Sequence, residues 1–68
     1  MNVTIQLNGE PYSIEDGLRV EVLLERLALR PARVAVEINQ EVIPKVDYPR
    51  TVLHHGDKVE IINFVGGG

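Results

Sequence analysis

The 68-residue sequence contains no cysteine and no tryptophan, with only two tyrosines and one phenylalanine. Without cysteine there is no disulfide, no cysteine-ligated zinc and no ferredoxin-type cluster. A core must therefore be built from valine, leucine and isoleucine. Hydrophobic residues make up 44% and charged residues 25%, which is typical of a globular chain, and the length allows a single domain.

Long apolar runs and basic clusters are also missing. No apolar run approaches the roughly 20 residues of a membrane-spanning helix. Residues 1–8 alternate and lack the basic and apolar regions of a signal peptide, so we expect a soluble, cytoplasmic protein. The net charge is −3, with the seven basic residues scattered along the chain, which argues against binding to nucleic acid. We expect neither a membrane nor a nucleic acid among its partners.

The first fifteen residues predict a β-hairpin. Residues 3–7 and 12–14 alternate apolar and polar side chains, the pattern of half-buried strands. Asn8-Gly9 between them suits a tight turn with positive φ angles. Pro11 is best placed at a strand start or on an edge strand.

The next segment predicts a helix. From residue 18 onward the apolar residues fall on one helical face: Val20, Leu23, Leu24, Leu27 and Ala28. Asp16 is a candidate N-cap, or an acid near the positive end of the helix dipole. Pro31 is expected to end the helix. Val22 falls off the apolar face near Glu25 and Arg26, and the sequence leaves open whether it contacts the core.

The remainder predicts further strands. Residues 33–39 and 59–65 alternate, and Val42-Ile43 forms a short strand that Pro44 ends. Residues 45–51 read as irregular surface, with Tyr48 packed on the surface. One helix covers only one face of a sheet, so the class is α+β. Placing the apolar first and last strands side by side in a mixed sheet of four to five strands predicts a β-grasp, ubiquitin-like domain over residues 1–65, followed by a flexible glycine tail, 66–68.

Three segments carry a resemblance to a known family: VAVEIN at 34–39, EVIP at 41–44, and HGDKVEIINFVGGG at 55–68. They closely resemble the ThiS family, the sulfur carriers of bacterial thiamine biosynthesis. The likeness covers the whole chain and is strongest in the FVGGG ending, which is specific when it stands at a chain terminus. One departure is Ala28, where chains of this family often carry glycine at the helix end.

The resemblance implies a reaction at the last residue. An E1-like partner, ThiF, uses Mg-ATP to adenylate the carboxylate of Gly68. A persulfide from a sulfurtransferase or cysteine desulfurase then converts it to a thiocarboxylate, which donates sulfur to thiazole synthase, ThiG. On this interpretation Gly66 and Gly67 thread the partners' active sites. The chain is then a co-substrate rather than an enzyme, with no catalytic residue, metal or cofactor of its own.

The glycines suit this task physically. Three residues reach about 10 Å when extended, and without β-carbons they fit a narrow channel. Alternation along the last strand points Val59 and Ile61 into the core, so Ile62 and Phe64 face solvent. We expect these two residues, with Val65, to dock a partner. The alternative is that Phe64 packs as peripheral core.

Two other features of the sequence suggest chemistry, and several other functions share the same ending. His54 and His55 are adjacent and read as solvated turn residues rather than metal ligands. Glu15-Asp16 reads as a solvated turn rather than a catalytic carboxylate pair. Alternative functions are a MoaD-like small subunit of molybdopterin synthase, another diglycine sulfur carrier, a ubiquitin-like protein modifier, or a plain β-grasp binding module. The glycines could also be a cloning remnant or a frayed end.

Overall fold

The computed structural model describes residues 1–64; the predicted domain end at residue 65 and the tail 66–68 lie outside the described residues. The strands and helix follow the predicted order, with two short 3₁₀ turns at Pro31–Arg33 and Lys45–Asp47. The elements are β1 (Asn2–Leu7), β2 (Glu10–Glu15), α1 (Val20–Arg26), β3 (Val34–Ile38), β4 (Glu41–Val42) and β5 (Lys58–Asn63).

The strands form one five-stranded sheet in the order β2-β1-β5-β3-β4. β1 and β5 are parallel neighbours, and the other pairs are antiparallel. The first and last strands therefore lie side by side within the sheet, as their apolar composition predicted. A mixed sheet with one helix packed on one face is the α+β architecture of a β-grasp domain, so the predicted fold is confirmed.

The β1–β2 hairpin confirms the sequence prediction in detail. Asn8 and Gly9 have φ angles of 50° and 86° and form a two-residue turn in which Leu7 pairs with Glu10. Positive φ at both central positions matches the right-handed twist of the strands. Pro11 lies on β2, an edge strand, where its missing N–H leaves no gap in the sheet.

The core lies between the helix and the sheet. It contains Ile5, Ile14, Leu18, Val20, Leu23, Leu24, Val34, Val36, Tyr48, Leu53 and Val59, all buried. Half-buried Val22, whose place the sequence leaves open, packs against this core at its margin.

Tyr48 is buried, with 2% of its surface exposed, so its predicted place on the surface was wrong. The short turn Lys45–Asp47 directs the chain back under the helix, where the Tyr48 carbonyl accepts a hydrogen bond from the N–H of Glu21 at 3.1 Å. Burial raises the pKa of the Tyr48 phenol above its usual value of 10.0. An irregular segment carries no periodicity, and so the sequence did not reveal this contact.

The start of α1 also differs from the prediction. Arg19 is the N-cap and makes no side-chain capping bond, so Asp16 does not cap the helix. Instead, main-chain carbonyls from the loop opposite accept from the first turn: Val20 donates to Thr51 at 2.9 Å, and Glu21 donates to Tyr48. These carbonyls satisfy N–H groups that have no partner within the helix.

The end of α1 precedes Pro31 by several residues, so the expectation that Pro31 ends the helix was wrong. Ala28 adopts a φ angle of 58°, and two hydrogen bonds close the last turn, Ala28 to Glu25 at 3.0 Å and Leu29 to Leu24 at 2.9 Å. This pair of bonds is a Schellman motif. Ala28 is therefore exposed and does not belong to the buried helical face.

Candidate functional site

The candidate site begins at the end of β5, the strand that leads into the glycine segment. β5 pairs with β3 along its length, up to Val34 opposite Asn63. One residue further, the N–H of Phe64 donates to the carbonyl of Arg33 at 2.8 Å. The chain is thus held by main-chain hydrogen bonds up to Phe64.

The other side of β5 is supported by a single turn residue. β1 ends at Leu7, so it pairs with only the first part of β5. Beyond that point the side-chain oxygen of Asn8 accepts a hydrogen bond from the N–H of Ile61 at 2.8 Å, and the N–H of Asn8 donates to Val59 at 2.9 Å. The hairpin turn therefore holds β5 in place after the neighbouring strand has ended.

The side chains of β5 face the two sides of the sheet as predicted. Val59 is buried, and half-buried Ile61 packs against the core. Ile62 and Phe64 are 49% and 50% exposed, so Phe64 is not part of the buried core. Their exposure permits docking to a partner, while the docking role itself stays a prediction.

Ile62 and Phe64 lie on the face of the sheet opposite the helix. Ala35 is directly across from Ile62 on β3, and we call Ala35, Ile62 and Phe64 the outer-face patch. Next along the same face, Glu37 lies opposite Glu60. Two carboxylates side by side favour solvent, so they limit the apolar patch to the end of the sheet nearest the glycines.

The remaining predicted site residues, Val65, Gly66, Gly67 and Gly68, lie outside the described residues. Their roles in docking, threading and carrying sulfur therefore stay predictions. The last described residue, Phe64, lies one residue past the end of β5, hydrogen-bonded to Arg33 and within the exposed outer-face patch.

The histidines are engaged in the turn that precedes β5. Nδ1 of His55 accepts a hydrogen bond from the N–H of Thr4 at 3.1 Å, and the N–H of His54 donates to Oδ2 of Asp57 at 2.8 Å. Within residues 1–64, no group of three or more potential ligand side chains could hold a metal ion. The interpretation of these residues as turn residues agrees with this geometry.

Glu15 forms an ion pair with Arg26. The hydrogen bonds from the Arg26 guanidinium lower the pKa of the Glu15 carboxyl from 4.5 to about 2. This pair links the end of β2 to α1, far along the chain from the glycines. None of the helices in the described part of the chain is both long and apolar enough to cross a membrane.

A mixed five-stranded sheet with β1 and β5 as parallel neighbours and one helix packed on one face defines the ubiquitin-like β-grasp class. The sequence profile of the ThiS family matches residues 5–68, which is nearly all of the chain and includes the three glycines. The chain belongs to the ThiS family.

Individual relatives agree with this assignment. The sulfur carrier protein ThiS of Bacillus subtilis is 38% identical over 65 residues, 94% of this chain and 98% of that protein. A crystal structure of the thiamine biosynthesis protein ThiS from Geobacter metallireducens superimposes with a TM-score of 0.82 at 33% identity, covering 97% of this chain and all of that one. Both sequence and fold therefore resemble small carrier proteins over their whole length.

A different kind of relative is a thiazole synthase of Magnetococcus marinus, 44% identical over 64 residues. The match covers 94% of this chain but only 20% of that protein. A domain similar to this chain therefore occurs within a longer protein named for thiazole synthesis.

Proposed function

We propose that this chain is a sulfur carrier for the thiazole ring of thiamine, with the carboxylate of Gly68 as the atom group that accepts and donates sulfur. The observation that carries the proposal is the extent of the family match, which continues through residue 68 and so includes all three glycines. The anchored strand preceding them supports it, because it gives a partner a fixed surface beside the reactive end.

The proposed chemistry starts with activation. A terminal carboxylate has a pKa of about 3.5, so it is ionised and unreactive toward nucleophiles at neutral pH. An E1-like ThiF partner uses Mg-ATP to form an acyl-adenylate and pyrophosphate. The terminal sulfur of a persulfide, supplied by a sulfurtransferase or cysteine desulfurase, attacks the acyl carbon and AMP leaves. A second thiol then cleaves the sulfur–sulfur bond of the acyl disulfide and releases the thiocarboxylate.

The folded body contributes recognition rather than catalysis. Gly66 and Gly67 provide reach without side chains, so the carboxylate enters a narrow site while the sheet stays outside. The outer-face patch, with Val65, docks the activating partner. The thiocarboxylate then supplies sulfur to thiazole synthase, a choice of acceptor supported by the similarity to part of a protein with that name. The chain acts as a co-substrate that is regenerated with each cycle.

The test uses purified protein ending at Gly68, a ThiF-type enzyme, Mg-ATP and a persulfide donor, followed by intact-mass measurement. The expected product differs by the replacement of one oxygen by sulfur. Oxidation of Met1, the only methionine, gives nearly the same mass change. Because the chain has no cysteine, a thiol-alkylating reagent labels only the thiocarboxylate and separates the two products.

The matched control lacks Gly67 and Gly68. We expect it to fold normally and to gain neither the sulfur nor the alkyl label. Adding thiazole synthase with its substrates to the thiocarboxylate protein before alkylation should return it to the carboxylate form, whereas molybdopterin precursor should not. A protein that is adenylated but ends in an amide bond to lysine side chains would instead be a modifier, and the carrier proposal would be wrong.

A further inference from the structure

A cleft of about 370 Å³ lies at the base of the glycine segment, on the side of the sheet away from the outer-face patch. We call it the root cleft; it is lined by Ala28, Leu29, Arg30, Arg33 and Asn63. The early helix end creates it: the left-handed turn at Ala28 sends the chain across the end of the sheet before β3 begins.

The root cleft is positively charged within an acidic protein. Arg30 and Arg33 are both exposed, and neither forms an ion pair with any residue in the range 1–64. Arg26 and Arg50, in contrast, are paired with Glu15 and Asp47. The chain as a whole has a net charge of −3, whereas the charged side chains that line the cleft are both positive.

A third cation lies at the same end of the sheet. Nζ of Lys45 donates to the carbonyl of Val34 at 3.0 Å, and Val34 pairs with Asn63 in the cleft wall. Lys45 does not line the root cleft, so the charge of the cleft comes from Arg30 and Arg33. Free guanidinium groups of this kind bind carboxylates through two parallel hydrogen bonds.

We propose that the root cleft binds an acidic side chain of the activating partner, at the mouth of the channel that admits the glycine segment. This inference rests on the proposed carrier function and adds a polar contact that the family match does not supply. Asn63 and Phe64 face opposite sides of the sheet, so the partner holds the base of the glycine segment between an acidic contact on one side and an apolar contact on the other.

The position of the cleft decides between anionic ligands. Gly68 is five residues beyond Asn63, so its carboxylate lies up to about 17 Å away when the segment is extended. A nucleotide phosphate next to that carboxylate is too far to contact Arg30 or Arg33. A carboxylate on the surface of the partner is within reach. The attraction between that carboxylate and the two arginines also offsets the repulsion between an acidic carrier and a site that contains ATP.

The experiment compares two doubly substituted proteins with the unmodified chain. Arg30→Gln/Arg33→Gln removes the cleft charges, and Arg19→Gln/Lys58→Gln removes two exposed cations elsewhere, giving the same net charge. Each protein is assayed for pyrophosphate release by a ThiF-type enzyme as a function of carrier concentration, at low and at high salt. Thermal unfolding of each protein is measured in parallel.

We expect the cleft variant to raise KM for the carrier about tenfold with kcat unchanged, which corresponds to the loss of charged hydrogen bonds. Its KM should also depend less on salt than that of the unmodified chain. The control variant should differ little from the unmodified chain. Arg30→Lys/Arg33→Lys, which keeps the charge and loses the planar fork, should lie between the two.

Three results would overturn the inference. Equal KM values for the cleft and control variants would show that the position of Arg30 and Arg33 contributes nothing beyond net charge to binding of the partner, while the carrier function itself is intact. Faster activation of the cleft variant would mean that the cleft holds the chain's own Gly68 carboxylate. Absence of activation of the unmodified chain would remove the proposed function and this inference with it.

Discussion

The side-chain oxygen of Asn8 lies 2.8 Å from the backbone nitrogen of Ile61 and accepts its hydrogen bond. Asn8 occupies a hairpin turn, whereas Ile61 is in the strand that leads to the glycines. The contact exists because β1 ends at Leu7 while β5 continues to Asn63. A turn residue therefore provides the acceptor that a longer β1 would have provided.

Two substitutions at Asn8 separate the side-chain bond from the backbone angle. Asn8→Gly keeps a residue that accepts the φ angle of 50° and removes the bond, so it should lower the free energy of unfolding by about 1 kcal/mol. Asn8→Ala loses both features and should cost about 1 kcal/mol more. Urea unfolding measures both values. Hydrogen exchange at the Ile61 amide should accelerate in each variant, and an unchanged rate would show that the bond contributes nothing.

How far the sequence predicts this fold depends on how local each signal is. The Asn8-Gly9 turn and the alternation around Ile62 are local patterns, and both were predicted correctly. The burial of Tyr48 and the capping of α1 by the Thr51 carbonyl were not predicted, because each depends on a long-range backbone contact that leaves no local pattern.

The candidate site divides in the same way. The glycines and Phe64 were identified from a short motif and from strand alternation. The root cleft was missed because the sequence places the helix end at Pro31, whereas α1 ends at Arg26 and the left-handed turn at Ala28 brings Arg30 beside Asn63. The clue in the sequence was Ala28 itself, at a position where the family often has glycine.

Ala28→Gly should stabilise the protein. The φ angle of 58° at Ala28 is strained for a residue with a β-carbon, and glycine relieves that strain at the C′ position of a Schellman motif. We expect the free energy of unfolding to rise by about 1 kcal/mol. Ala32→Gly is the matched control, since Ala32 lies in the turn Pro31–Arg33 without a positive φ angle, and it should not stabilise. Equal effects of the two substitutions on unfolding would contradict the argument.

Phe64→Ala should leave the fold intact and weaken adenylation by the partner. Phe64 is half exposed, so little core packing is lost, whereas an aromatic anchor at an interface contributes more than about 1 kcal/mol to binding. We expect KM for the carrier to rise at least about fivefold, with little dependence on salt. Val46→Ala, which removes an exposed side chain from the turn Lys45–Asp47, is the control. An unfolded Phe64→Ala protein, or one activated normally, would refute the docking role.

The ion pair between Glu15 and Arg26 predicts a pH dependence of stability. The hydrogen bonds from Arg26 hold the pKa of the Glu15 carboxyl at about 2, below the ordinary value of 4.5. A lowered carboxyl pKa means that the folded state favours the ionised form. The pair therefore stabilises the protein above pH 4.5, and this contribution is lost as the pH falls from there toward about 2.

Thermal unfolding of four proteins tests this: the unmodified chain, Glu15→Gln, Arg26→Gln and the double variant. The coupling between the two substitutions should be present near neutral pH, weaken with added salt because both side chains are exposed, and disappear in acid. NMR titration gives the pKa of Glu15 directly, and Arg26→Gln should raise it. A Glu15 pKa near 4.5 in the unmodified protein would show that the pair contributes nothing to folding, whatever its geometry.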